Sequence, residues 1–339
     1  ASSPEPTPPL GHRHFNRSDY TIHRTSAYVA SVKMLSSRTR ATDEYINGEG
    51  KKSWHLSDGV TLIAYGTSPL YNGSVRATMD WQRLPGTTVE RTSRMPGEGY
   101  GIGSKSFVGG TWTDDIGICA MDFAANASSL KACKSWFFLN DAVVCAGTGI
   151  ACSSTAGVET IVDQQPLASN QLPVLVDGTP FSEETQTVTN TKWIHCDRTG
   201  YLFMQPGNTL QMKRAIQVGA WSDIGTGPST LQEHPFLTLW IDHGVRPRAA
   251  SYCYALLPGK TSVQTDSFST NNPIEIVTLD TMIHSLRDQR TGATGTVFWK
   301  AGFDGTISVD QPCIVAYRFA DTTFALSLCN PDQIGRAHV

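Results

Sequence analysis

Between positions 38 and 55 the chain gathers residue types able to bind or orient a charged ligand. Arg38 and Arg40 are followed by Glu44, Asn47, Glu49, Trp54 and His55. Glu44 and Asn47 stand three apart, and Gly48 comes next. Strand alternation would send side chains three apart to opposite faces, so this pair belongs to one tight loop. A carboxylate there suits a guanidinium, which it meets in bidentate geometry. From residue types alone the plainer reading is an Asx turn before Gly48, with the arginines as surface or strand-edge charge.

Other chemistries find less support. The run Gly97-Glu98-Gly99-Tyr100-Gly101-Ile102-Gly103 fits neither G-x-G-x-x-G nor the P-loop pattern, and no helical periodicity follows it. It reads as a flexible or bulged loop. No G-x-S-x-G elbow occurs. His195-Cys196-Asp197 and Asp242-His243 each sit beside a strand or turn, and neither is assigned a metal. No metal and no cofactor is expected. The eight cysteines form no C-x-x-C pair and several lie in apolar runs, as in AVVCAG and SYCYALL. They read mostly as buried small hydrophobes, with one or two disulfides left open. Sequons at Asn16, Asn72 and Asn126 matter only in a secreted eukaryotic chain.

The elements that must position these residues are strands. In 339 residues, 40% are hydrophobic and 17% charged, with 30 glycines and 18 prolines, which means a sizeable core and many turns. Lysine and arginine number 27 against 30 acids, a formal charge of -3, so no global basic field serves nucleic acid. No run of about 18 apolar residues spans a membrane. Tyr28–Leu35 alternates apolar and polar residues, and Ser135–Val144 reads as a strand pair hinged near Asn140-Asp141. Phe236–Ile241 and Tyr252–Leu257 flank a turn with Gly244 and Pro247; Thr294–Trp299 and Cys313–Phe319 continue the pattern. Only Thr281–Asp288 looks like an amphipathic helix. Trp136, Trp193, Trp221 and Trp240 lie in strand-like runs and are assigned to the core, and Asp80–Thr88 is assigned a structural turn.

Met34 to Val89 resembles the start of the central β domain of polysaccharide lyase family 8, which includes hyaluronate, chondroitin AC and xanthan lyases. The resemblance rests on Ser36-Ser37-Arg38, Glu44-x-x-Asn47-Gly48-Glu49, Asp58-Gly59, Asp80-Trp81 and Arg83-Leu84-Pro85-Gly86-Thr87-Thr88. It continues through Lys134-Ser135-Trp136-Phe137-Phe138, Val158-Glu159-Thr160, Trp193-x-His195 with Gly200-Tyr201, and Trp221-Ser222-Asp223-Ile224. Leu239-Trp240-Ile241-Asp242-His243-Gly244 and Tyr254-Ala255-Leu256-Leu257-Pro258 close the collinear set, with a weaker echo from Ile274 to Pro331.

The resemblance implies an all-β chain: a large antiparallel β-supersandwich, then an incomplete smaller β-sandwich, without the family's N-terminal helical toroid. The expected limits are a Pro/Ser-rich linker over 1–19, the central domain over 20–265 and a partial C-terminal domain over 266–332. The boundary is placed in the polar stretch 266–273. Residues 333–339 read as translated adapter sequence. The implied chemistry is β-elimination on a uronate glycan, and the implied partners are an acidic polysaccharide and the missing helical domain. An extracellular, secreted, monomeric protein is expected. Carried onto this sequence, the motif assigns a cleft role to Glu44, which would fix the helical domain's arginines, with Asn47 supporting it. Gly50 departs from the asparagine the family often has there. Arg38, Arg40, Trp54 and His55 are candidate substrate-binding residues. The alternative is a non-catalytic β-sandwich that only binds carbohydrate.

Overall fold

The computed structural model describes residues 9–66, 71, 73–207, 209–320 and 322–333. Asn72 and the stretch 334–339 lie outside the described residues, as do residues 1–8 of the expected linker. Strand accounts for 48% of the chain and helix for 6%.

A nine-stranded antiparallel sheet forms the middle layer. Its spatial order is Thr179–Pro180, Val174–Val176, Trp193–Cys196, Thr199–Phe203, Ala250–Pro258, Val143–Ala151, Lys131–Phe138, Gly117–Ala124 and Val108–Trp112. Its central strands read as near-continuous apolar runs because both faces are covered. On Gly117–Ala124, Cys119, Met121 and Phe123 point into one core while Ile118 and Ala120 point into another.

The first core lies between this sheet and two others. One is a five-stranded sheet, in order Thr185–Thr189, Thr209–Gly219, Gln232–Val245, Gly157–Pro166 and Thr88–Glu90. The other is a four-stranded meander of β1 (Gly11–Phe15), β2 (Tyr20–Arg24), β3 (Val29–Lys33) and β4 (Val60–Ala64). Tyr28, Val32 and Met34 from the meander meet Trp136 and Phe138 there, and Leu237 and Leu239 close the core from the five-stranded sheet.

The second core joins the opposite face of the middle sheet to a C-terminal sheet of Ile274–Leu279, Ile283–Asp288, Thr294–Phe298, Cys313–Ala320 and Thr323–Cys329. His284 is buried in that seam, its Nδ1 2.7 Å from Ser135 Oγ and its Nε2 2.8 Å from Thr148 Oγ1.

Three expectations need correction. Thr281–Asp288 is not a helix: Ile283–Asp288 is an inner strand, and burial on both faces hides its alternation. The polar stretch 266–273 is not simply a linker. Residues 266–270 finish a helix, Ser262–Thr270, that Thr261 caps with its hydroxyl and Gln264 closes in return. The expected linker over 1–19 already holds β1, Gly11–Phe15. The turn read after Val245 is present. Gln232–Val245 lies in the five-stranded sheet and Ala250–Pro258 in the nine-stranded one, so the chain crosses between layers there. The hairpin read at Asn140-Asp141 is present, with Phe138 paired to Val143. Six of the eight cysteines are buried, and no disulfide occurs among the described residues. Trp136, Trp193 and Trp240 are core residues as expected; Trp221 is half-buried.

At several buried or half-buried histidines the loss of solvent outweighs any nearby carboxylate. Burial pulls His14, His23 and His243 down to about 4 and His284 to about 3, and it lowers His12 well below the ordinary value of 6.5. The unfolded chain then takes up protons from pH 6.5 downward while the folded chain does not, so stability is lost between about pH 6.5 and 4. Asp163 opposes this weakly, since burial raises it to about 6 and the folded chain gains that proton first. The histidines outnumber it. The thermal midpoint should fall by roughly 10 °C or more between pH 7 and pH 4.5. Scanning calorimetry across that range checks it, and a flat midpoint would contradict the burial of neutral imidazoles.

Candidate functional site

The loop from Ala41 to His55 leaves the meander after β3 and returns to it at β4. Backbone bonds hold its start: Ala41 N–H donates to Gly101 O at 2.8 Å and Gly103 N–H to Thr39 O at 3.1 Å. Its far side is tied to residues 222–226. Lys51 Nζ donates to Ser222 O at 2.8 Å, and Glu49 accepts from the Thr226 hydroxyl at 2.5 Å and the Thr226 N–H at 3.2 Å. Those bonds lower the Glu49 carboxyl below its ordinary range. Asn47 takes a positive φ of 55°, Gly48 one of 78° and Gly50 one of 67°. A side chain at Gly50 would also bring its Cβ to 3.1 Å from Asp43 Cβ, so glycine suits this position both sterically and conformationally.

Glu44 stands at the lip of an open groove of about 590 Å³ that Lys33, Arg40, Asp43, Leu56 and Tyr100 also line. Glu44 itself is exposed. Its partner is Tyr100, whose hydroxyl donates to Glu44 Oε2 at 2.9 Å. The Arg40 guanidinium lies 4.8 Å from the centre of the Tyr100 ring. Arg40, Tyr100 and Glu44 thus form one contiguous set. Tyr100 was missed in the sequence because Gly97–Gly103 was judged against phosphate loops. The signal available was a lone aromatic residue among glycines, which let the backbone close onto residues 39–41.

The groove continues into a second one of about 400 Å³ that shares Asp43, Leu56, Val60 and Leu62 with it. Trp81, Trp221 and Tyr71 wall this part, with Lys52 and Arg76 also lining it. Trp221 therefore serves a groove wall rather than the core.

The other sequence candidates separate clearly. Asn47 is exposed on the same loop but lines neither groove, and its side chain makes no hydrogen bond among the described residues. Arg38 is a structural tether, not a ligand-facing group. Its Nη2 donates to Asp19 Oδ1 and to Val108 O, both at 2.7 Å, and its other nitrogens reach Ser106 O and Asn16 O. His55 is 4% exposed, and its Nδ1 lies 2.8 Å from Asp58 Oδ2, so it faces inward. Trp54 is half-buried and spends its indole N–H on Met95 O at 2.8 Å. His195 is buried with Nε2 2.9 Å from Lys260 O, and no cluster of three metal-binding side chains occurs among the described residues.

Against this geometry, comparison with known proteins is decisive. Residues 10–269 match the super-sandwich domain of polysaccharide lyase family 8, and residues 275–337 match its C-terminal β-sandwich domain. The chain belongs to polysaccharide lyase family 8. It is 33% identical to a hyaluronate lyase of Thermasporomyces composti over 98% of its own length and 44% of that protein. It is 31% identical to a xanthan lyase of a Bacillus strain over 93% of its length and 35% of that protein. Among solved structures, a Paenibacillus xanthan lyase superposes with a TM-score of 0.90 over 95% of this chain and 32% of that one, at 29% identity. The Streptomyces coelicolor chondroitin AC lyase in complex with chondroitin sulphate gives 0.85 over 99% and 44%, at 30% identity. This chain therefore spans less than half the length of these family 8 relatives. They share its β architecture, and no helical domain occurs among its described residues.

The two arginines give a direct test of the split between tether and groove. Arg38→Ala should cost about 2 kcal/mol, because Asp19 is wholly buried and would lose its cation. Arg40→Ala should stay within about 0.5 kcal/mol, as an exposed site allows. Urea unfolding of both variants measures this; equal losses would return Arg38 to the list of ligand-facing residues.

Proposed function

We propose that this chain is the β part of a secreted polysaccharide lyase that cleaves uronate-containing glycans of the hyaluronan or chondroitin type, with xanthan-like polymers as the neighbouring class. The observation that carries the reading is Glu44 held at the groove lip by Tyr100, on a Glu-x-x-Asn-Gly-Glu loop, in a family 8 chain.

The reaction is an elimination. A base takes the C5 proton of the uronate, the electron pair forms the C4–C5 double bond, and the C4–oxygen bond breaks with a proton delivered to the leaving oxygen. The C5 proton is weakly acidic while the carboxylate is charged, so the site must offset that charge as it grows. A base and an acid must also stand within reach of C5 and of the leaving oxygen. On this reading the groups that move protons belong to a helical domain, and the β part supplies the facing wall. Glu44 offers two carboxylate oxygens, one already fixed by the Tyr100 hydroxyl. An arginine from the opposite wall would find the other free, in charge-assisted geometry. Arg40 places a cation beside the same groove for a substrate carboxylate or sulfate.

Two outcomes test the reading. In the complete enzyme, Glu44→Ala should reduce kcat by about 10²-fold or more with little change in thermal midpoint, since the residue is exposed; normal turnover would remove Glu44 from the site. The isolated chain should release no 4,5-unsaturated product from hyaluronan, chondroitin or xanthan, followed by ultraviolet absorbance. Turnover by the isolated chain would show that acid and base lie within it.

A further inference from the structure

A second cleft, of about 580 Å³, opens at the far end of the meander, where β1 meets the strand Val108–Trp112 and the turn after it. The five-residue strands β1–β4 set it roughly 13–16 Å from the end of β3 that leads out to the Glu44 loop. His12 and His23 lie beneath it, on the inner side of the β1–β2 pair. They are directly opposed across β1 and β2, 3% and 8% exposed, with ring centres 5.7 Å apart. None of their four ring nitrogens finds a hydrogen-bond partner in the protein, and all four are shielded from the cleft, both rings packing on Phe138.

The walls carry charge and one aromatic face. Arg13 and Arg24 project from the outer side of the β1–β2 pair as diagonal neighbours, because Arg24 opposes Gly11 and Arg13 opposes Ile22. The Arg13 guanidinium lies 5.4 Å from the ring centre of Trp112, which is 37% exposed. Neither arginine makes an ion pair among the described residues. Of the two acids in the cleft, Asp115 is neutralised by Arg318 at 2.5 Å. Two free cations against Asp114 leave the mouth net positive.

We propose that this cleft is a second binding site for the acidic polysaccharide, separate from the Glu44 groove, in which Arg13 and Arg24 take carboxylate or sulfate groups and Trp112 packs on a sugar face. The chemistry favours a sugar over a bare anion. An exposed indole face beside two cations suits a charged sugar ring, and the volume is that of a small-molecule site. Such a site would hold a long polymer near the groove and raise its local concentration without touching the reacting bond. The ligand class rests on the lyase reading above; the site itself does not need the proton-transfer groups.

The experiment is calorimetric titration of this chain with a chondroitin sulfate hexasaccharide, with neutral maltohexaose as control. The charged hexasaccharide should bind, the neutral one should not, and Arg13→Ala/Arg24→Ala should weaken binding at least tenfold. Arg24→Gln alone, at an unchanged thermal midpoint, should weaken it several-fold. Glu44→Ala should leave it unchanged. In the complete enzyme the double variant should raise KM for polymer and leave kcat on a short oligosaccharide intact. No binding by the unaltered chain, equal binding by the double variant, or equal binding of maltohexaose would overturn the proposal. A complete protein without lyase activity whose chain still binds through Arg13 and Arg24 would overturn the lyase reading and leave this site standing.

Discussion

One buried ammonium organises the side of the molecule that carries the groove. Lys134 lies on a central strand of the nine-stranded sheet, fully enclosed between Trp136 and Phe123, and its Nζ donates to Asp58 O at 2.9 Å and Gly86 O at 2.8 Å. Those two carbonyls belong to separate loops. The first loop ends the Glu44 segment and the second is the Leu84–Thr87 turn. Burial lowers the amine to about 7, and the neutral form still has two N–H donors for two acceptors. Neither protonation state therefore orphans a carbonyl. Glycine is required on both sides of the tether: a Cβ at Gly59 would sit 2.8 Å from Lys134 Nζ, and one at Gly86 would meet Thr61 Oγ1 at 2.3 Å. Both glycines also take positive φ.

From that anchor the site is built outward in short steps. Asp58, whose carbonyl meets Lys134, receives His55 through its carboxylate, so the inward-facing histidine stiffens the return of the loop. Arg38 fixes the outgoing side by binding Asp19 and three backbone carbonyls. Thr226 fixes the middle through Glu49. The loop between these anchors is held at three places while Glu44 stays at the surface. The charged and aromatic residues around the candidate motif thus divide into those that face the groove and those that hold it in place.

That division explains what could be read in the sequence. The strands were legible where one face is dry and the other wet, as in Tyr28–Leu35, and where turn residues punctuate apolar runs, as at Asn140-Asp141. Ile283–Asp288 was not, because a strand buried on both faces loses the period of two. The helix Ser262–Thr270 was hidden for the opposite reason. Its residues are mostly polar and weakly patterned, and its start depends on a capping box that competes with the appearance of a linker. Glu44 stood out through a family motif, and Arg40 through its charge just ahead of that motif. The roles of Arg38 and His55 were not, because their partners, Asp19 and Asp58, are set by tertiary packing. Tyr100 is 56 residues from Glu44 in sequence, and only the folded loop brings the two together.

The same economy of anchors bears on how a family 8 β part can work beside another domain. An exposed Glu44 with one oxygen committed to Tyr100 has lost some of its freedom before any partner arrives, which lowers the ordering cost of meeting a cation. Arg40 adds to this by lying against the Tyr100 ring rather than by pairing with Glu44, so the carboxylate keeps an oxygen available. If Arg40 instead neutralised Glu44 directly, a cation from across the groove would have to displace it. The stacked arrangement keeps the two charges separate, so on the proposed reading the carboxylate is left for the opposite wall and the guanidinium for an anionic sugar. A surface that carries both signs around one tyrosine would, on that reading, face a cationic wall and an acidic polymer at the same time.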